Sequence, residues 1–103
     1  MEDIKVATKL FTMYGKAKER NIPCTLSFKR MKQLMLRKKC FYTGINMNNI
    51  EGDNNQKTFD RIDASEGYTD NNTVTCTLSI NRKKSNLTRE EITLIYNKIK
   101  DRN

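Results

Sequence analysis

Histidine is absent from all 103 residues. That single absence excludes imidazole general bases, histidine metal ligands and Ser-His triads. Tryptophan is also missing, and proline occurs once, at Pro23. Three cysteines are present, Cys24, Cys40 and Cys76, with no Cys-x-x-Cys pair among them. An odd, unpaired set is no disulfide framework, and it points to free thiols in a reducing, cytoplasmic setting. No apolar run is long enough for a membrane span, and no signal-peptide core follows Met1, so no membrane partner is expected. Hydrophobic residues reach only 36%. A chain so poor in them builds a thin core, either as a mostly helical domain or with long polar loops.

Positive charge is what the chain has in quantity. Lysine and arginine number 20 against 12 acidic residues, a net charge of +8, with a pI near 9.6. This is the electrostatic footprint of a nucleic-acid binder, although a scattered surplus on a soluble basic protein gives the same sum. The distribution favours the first reading. Lys29, Arg30, Lys32, Arg37, Lys38 and Lys39 fall within eleven residues, and Arg82, Lys83 and Lys84 form a second cluster. No acid interrupts the stretch from Ser27 to Lys39, whereas a merely solvated helix face usually mixes signs for support at three- and four-residue spacings.

The spacing of apolar residues predicts a helix over 4–20, with Ile4, Ala7, Thr8, Phe11 and Tyr14 on one face and Leu10 and Met13 widening it. Gly15 weakens that helix, and Asn21-Ile22-Pro23 ends it. Ser27 reads as the N-cap of a second helix over 27–38, carrying Phe28, Met31, Leu34 and Met35. A polar loop follows Gly44. Segments 57–62 and 73–77 have strand character and flank turn chemistry at Gly67-Tyr68 and Asp70-Asn71-Asn72. A short helix is expected over 79–85. Thr88 and Glu91 spell a capping box that opens a last helix over 88–101, with Ile92, Ile95, Tyr96 and Ile99 as its apolar stripe. The fold class is thus α+β, with residues 1–103 as one domain: a helical lead-in at 1–39, a core at 40–88 and a C-terminal helix at 88–103.

Two stretches carry a family likeness: KAKERNIPCTLSFKRMKQLMLRKKCFYTG and FDRIDASEGYTDNNTVTCTLSINRKKSNLT. From Lys16 to Thr88 the chain resembles phage-type HNH endonucleases, in which a ββα hairpin-and-helix holds one divalent metal against the scissile phosphate. The Asp-Arg-Ile-Asp run, Gly-Tyr-Thr turn, asparagine and Asn-x-x-Lys-Ser-x-Leu-Thr helix fall in the family's order. The resemblance implies an HNH-like ββα module flanked by N-terminal helices and a C-terminal helix. It implies Asp60 as the acidic metal ligand and Asn81 as the helix ligand, with magnesium or another divalent ion as cofactor. Asn72 matches the asparagine that orients the base, and Arg61 stands where the histidine base belongs. Arginine stays protonated at ordinary pH and takes no proton from water. Asp63, three residues beyond Asp60, is the candidate replacement base.

The family's structural zinc is a separate expectation. Its four cysteine positions read Cys40, Thr43, Thr77 and Ile80 here. Cys76 lies one position early, and strand alternation turns it to the other face. Zinc needs about four nitrogen or sulfur ligands, so none is expected, and Ile80 suggests that apolar packing stands in for the metal. Plainer roles remain open for each residue. Asp60 and Asp63 brace a turn, Arg61 makes a surface ion pair, Asn81 bonds to backbone at a helix start, Tyr68 packs in the turn, and Cys24 is a small core residue.

Three functional readings follow. One is a nucleic-acid-binding protein with catalysis impaired or lost, using Lys29, Arg30, Lys32, Arg37, Lys38, Arg61, Arg82, Lys83 and Lys84, with DNA ahead of RNA as partner. The second is an active metal-dependent nuclease with a replacement base. The third is a small effector whose protein partner is a nucleic-acid enzyme that it inhibits. If the chain is phage-encoded, its setting is the host-cell cytoplasm. Metal analysis of the purified protein is expected to find far less than one zinc per chain. About one zinc, removable only with loss of fold, would overturn this.

Overall fold

A computed structural model describes residues 2–101. Four helices and one antiparallel hairpin follow the chain order α1 (Asp3–Glu19), α2 (Phe28–Leu36), β1 (Lys57–Arg61), β2 (Thr73–Thr77), α3 (Leu78–Lys84) and α4 (Arg89–Lys100). The architecture is α+β, and the hairpin runs directly into α3 as a ββα unit flanked by helices. Met1, Arg102 and Asn103, at the ends of the expected 1–39 and 88–103 segments, lie outside the described residues.

The buried face of α1 differs from the expected one. Val6 and Ala17 are buried, and Leu10 and Met13 pack against the same cluster. Ile4 and Phe11 are instead 77% and 83% exposed. Two stripes of helical period compete in this segment. The winning one pairs its small residue, Ala17, with the turn that ends the helix. There Asn21 adopts φ 56°, the Ile22 N–H donates to the Ala17 carbonyl at 2.8 Å, and the Asn21 N–H donates to the Lys18 carbonyl at 3.1 Å. This is a Schellman ending, which turns Ile22 back onto the core and delivers Pro23 into an extended strand-like segment.

Helix α2 starts as its N-cap predicts: Ser27 Oγ accepts from the Arg30 N–H at 3.0 Å. Its end comes two residues early, at Leu36, where the Lys57 ammonium donates to the Leu34 and Met35 carbonyls at 3.2 and 2.8 Å. A cation on the last carbonyls of a helix satisfies groups that have no partner inside it. Met31 and Leu34 join Val6, Ala17, Leu26 and Tyr68 in the core, with Phe59 of β1 packed against them.

Within the hairpin, Phe59 faces Thr75 and Asp60 faces Val74. Alternation along β1 therefore turns Phe59 toward the α1–α2 core and Asp60 toward the other side of the sheet. Thr77 ends β2 and also caps α3, accepting from the Ile80 N–H at 3.4 Å. The expected short helix consequently begins one residue early. The polar loop before β1 is tied internally: Asp53 accepts from the Asn48 amide and the Asn55 N–H, both at 2.9 Å.

Helix α4 forms with the expected capping box. Its stripe, however, does not enter the core. No residue of α4 is buried, and Leu94, Ile95 and Tyr96 are exposed. Among the described residues, α4 packs against no other helix or strand.

The 23–25 and 67–69 segments are laced together by the Tyr68 N–H on the Pro23 carbonyl at 2.8 Å and the Thr25 N–H on the Tyr68 carbonyl at 2.9 Å. A Cβ at Gly67 would strike the Pro23 carbonyl oxygen and lie 2.9 Å from Pro23 Cβ, whereas a Cβ at Gly15 meets nothing within 4 Å. Gly67→Ala is thus expected to destabilise the protein by about 1–3 kcal/mol, because backbone must move. Gly15→Ala is expected to raise stability by up to about 1 kcal/mol through helix propensity. Urea unfolding of the pair checks this, and equal effects of the same sign would contradict the close approach at Gly67.

Candidate functional site

The candidate site lies where the hairpin meets α3. Asp60 is on β1, while Asn81 and Lys84 are one turn apart on α3. Asp60 is 8% exposed and Lys84 is 7% exposed. The Lys84 ammonium sits 3.2 Å from Asp60 Oδ2 and donates to the Arg61 carbonyl at 2.8 Å. The Tyr42 hydroxyl donates to the same Asp60 Oδ2 at 2.7 Å. Burial, this hydrogen bond to a carboxylate and the carboxylate's charge all push the Tyr42 phenol upward, so it stays a donor. A lysine placed by its sequence cluster among the nucleic-acid contacts is therefore a buried counter-ion. Its spacing on α3 directs it inward, while Arg82 and Lys83 remain exposed.

Arg61 folds back onto its own loop. Nη1 donates to the Ala64 and Glu66 carbonyls at 2.8 and 2.9 Å, and the guanidinium stacks 5.4 Å from the centre of the Tyr68 ring. Asn72 is buried and acts as a clamp on that loop. Its Oδ1 accepts from the Asp63 N–H at 2.9 Å, and its Nδ2 donates to the Asp63 and Gly67 carbonyls at 3.1 and 2.8 Å. Asp63 accepts from the Ser65 hydroxyl and N–H, and these bonds hold its carboxyl below the ordinary carboxylate range against a small opposing effect of burial. A carboxylate so stabilised is a weaker base, contrary to what a replacement base needs.

Asn81 Nδ2 donates to Thr58 Oγ1 at 2.9 Å, and to the Phe59 carbonyl at 3.4 Å. Asp60 and Asn81 both line a cleft of about 440 Å³ together with Arg20, Arg61 and Arg82. As a metal site this donor set is thin. Magnesium takes oxygen ligands and tolerates water in the remaining positions. Here the one carboxylate already holds an ammonium, and Arg61 and Arg82 add positive charge to the same cleft, which opposes a divalent cation. Among the described residues no group of three or more Cys, Asp or Glu is placed to bind a metal. The residues present do not fit a divalent ion well.

The positions matching the family's zinc ligands show a different substitution from the apolar one expected. Buried Cys40 is surrounded by hydrogen-bond donors: the Thr43 hydroxyl and the N–H groups of Thr77, Thr43 and Tyr42. Burial pushes this thiol up, but the donors outweigh it and leave the group below its ordinary value. Polar groups at the Thr43 and Thr77 positions thus act on Cys40, while Ile80 is only half-buried. Cys76 lies on the Asp60 side, wholly buried, against Thr58 Oγ1 at 3.6 Å. Burial foremost, with the Asp60 charge, pushes its thiol up to about 11 despite the Thr58 contact.

The basic run on α2 divides in two. Arg30 is structural: Nε donates to the Asp70 carbonyl at 3.0 Å, Nη2 to the Thr73 carbonyl at 3.1 Å and Nη1 to Gln33 at 3.3 Å. With Asp70 also accepting from the Ser27 N–H and hydroxyl at 2.8 Å each, Arg30 anchors α2 to the turn before β2. Lys32 makes an exposed pair with Asp3 at 3.0 Å. Lys29, Arg37 and Lys38 are exposed. Lys9, Lys16, Arg20 and Lys57, which form no run of charge in the sequence, converge on a second cleft beside Phe59. They are scattered in sequence, and the fold gathers them around one cleft.

Comparisons with models of known families, with curated proteins and with solved structures return no match.

Removing Lys84 alone leaves a buried carboxylate without its cation. Lys84→Met is expected to cost about 3–5 kcal/mol, and the double variant Lys84→Met/Asp60→Asn to be more stable than that single variant. Urea unfolding measures both. A cost for Lys84→Met below about 1 kcal/mol, as for an exposed pair, would show that the pair is not buried in solution.

Proposed function

We propose that this chain is a nucleic-acid-binding protein with an HNH-like ββα module whose nuclease chemistry is lost. The observation that carries the reading is the state of Asp60, paired with the Lys84 ammonium and bordered by Arg61. A cleft built this way presents net positive charge to a phosphate and offers no base to a water molecule. The overall charge of +8 supports the same reading. Phosphate contacts through exposed cations such as Arg82 and Lys83 supply affinity with little sequence preference.

The loss of catalysis follows from what the side chains do. The Arg61 guanidinium has no lone pair free to take a proton, Asp60 is engaged by Lys84 and Tyr42, and hydrogen bonds from Ser65 hold the Asp63 carboxyl below its ordinary range. General-base assistance contributes about a hundred- to ten-thousand-fold to such reactions. Arg61→His restores an imidazole but leaves Lys84 on Asp60, so that variant remains inert. A protein partner is the second reading, favoured by the exposed apolar stripe of α4. No helix among the described residues is long and apolar enough to cross a membrane.

The test pairs salt-titrated binding with cleavage assays on duplex, single-stranded and branched DNA and on RNA. The expected result is binding at low salt that weakens linearly in log–log form as salt rises, unchanged by chelation of divalent ions, with no cleavage in magnesium or manganese. Robust cutting abolished by Asp60→Ala would restore the nuclease reading. Absence of binding to every nucleic acid at low salt would leave the protein-partner reading.

A further inference from the structure

Three clefts share lining residues around Phe59 of β1. The first, about 320 Å³, is lined by Lys9, Lys57 and Phe59 among others. The second, about 250 Å³, shares those three residues and adds Lys16, Arg20 and Tyr68. The third, about 440 Å³, shares Arg20, Phe59 and Tyr68 and adds Arg61 and Arg82. Six cations thus border these overlapping clefts: Lys9, Lys16, Arg20, Lys57, Arg61 and Arg82. Their walls contain a single acid, Asp60, whose charge Lys84 already cancels. Phe59 is the one residue common to all three clefts, and its half-buried ring lies 5.3 Å from the Lys9 ammonium.

We propose that this Phe59-centred trench between α1 and the ββα unit binds a single-stranded phosphodiester chain, with its backbone along the cations and a base stacked on Phe59. The inference rests on the nucleic-acid reading above and gives it a location and a strand preference. A concave groove lined by one sign of charge concentrates field and attracts a polyanion. An aromatic ring in its floor supplies a stacking surface that any base can use. A duplex offers no unstacked base to such a ring, so this arrangement favours single strands. Lys57 helps through its charge alone, because its ammonium is held by the α2 carbonyls.

The experiment measures fluorescence anisotropy of labelled oligothymidylate, an abasic oligomer of equal length and a duplex, each over a salt series. Wild type is expected to bind oligothymidylate more tightly than duplex. Lys9→Gln/Lys16→Gln is expected to reduce the log–log salt slope by about 1.4, two contacts at about 0.7 each for single strands. Lys98→Gln/Lys100→Gln on α4, an equal change of net charge, is expected to leave the slope unchanged. Phe59→Leu is expected to weaken oligothymidylate binding about fivefold or more while leaving abasic binding as in wild type, which also shows that this variant is folded. The proposal is overturned if binding persists but the α1 pair behaves like the α4 pair, if Phe59→Leu affects both single strands equally, or if duplex is preferred. In those cases nucleic-acid binding stands and its site lies elsewhere. Failure of wild type to bind any of the three at low salt overturns the nucleic-acid reading itself.

Discussion

The ion pair between Asp60 and Lys84 is the contact at which the hairpin, the loop after α2 and α3 meet. Asp60 comes from β1, Lys84 from the last turn of α3, and Tyr42 from the loop after α2. The Lys84 ammonium also binds the Arg61 carbonyl just as β1 ends. A buried pair repays its desolvation only when the remaining donors and acceptors are satisfied. The Tyr42 hydroxyl and the Arg61 carbonyl meet that requirement on either side. Register in the hairpin is then doubly constrained: a one-residue slip would turn Asp60 toward the α1–α2 core and Phe59 away from it.

The same pair decides the chemistry. A carboxylate that braces three elements is not free to take a divalent ion on equal terms, and the arginines around it leave the cleft cationic. Asn72 likewise works as a brace. Its amide carries the whole loop from Asp63 to Gly67 on three hydrogen bonds, a purely mechanical duty at a position where the family likeness implies orientation of a base.

Local signals in the sequence were legible wherever one residue does one job. Ser27 and Thr88 cap their helices, Thr88 with its capping box, and the hairpin occupies the segments that β propensity marks. What failed did so for tertiary reasons. Ile4 and Phe11 match a helical period as well as Val6 and Leu10 do, and nothing local ranks two stripes; the Schellman turn at Asn21 settles it by placing Ala17 and Ile22 inward. Charge runs misled in the same way. Arg30 and Lys84 sit in basic clusters yet serve as staples, while Lys9, Lys16 and Arg20 lie apart in sequence and meet at one cleft. A cluster in sequence is a prior for a cluster in space only on elements whose orientation is known.

Among the described residues, helix α4 packs against no other helix or strand, and local terms chiefly hold it. Thr88 and Glu91 close its capping box, acids occupy its first turn and lysines its last, and no residue of it is buried. A twelve-residue helix without tertiary support is marginal in water. Its opening is therefore uncoupled from the disruption of the core, and the molecule has two cooperative units of very different strength. Helical signal is therefore expected to be lost in part before the core gives way, with different spectroscopic probes reporting different midpoints and a single free energy of unfolding describing only the part that holds Asp60 and Lys84 together.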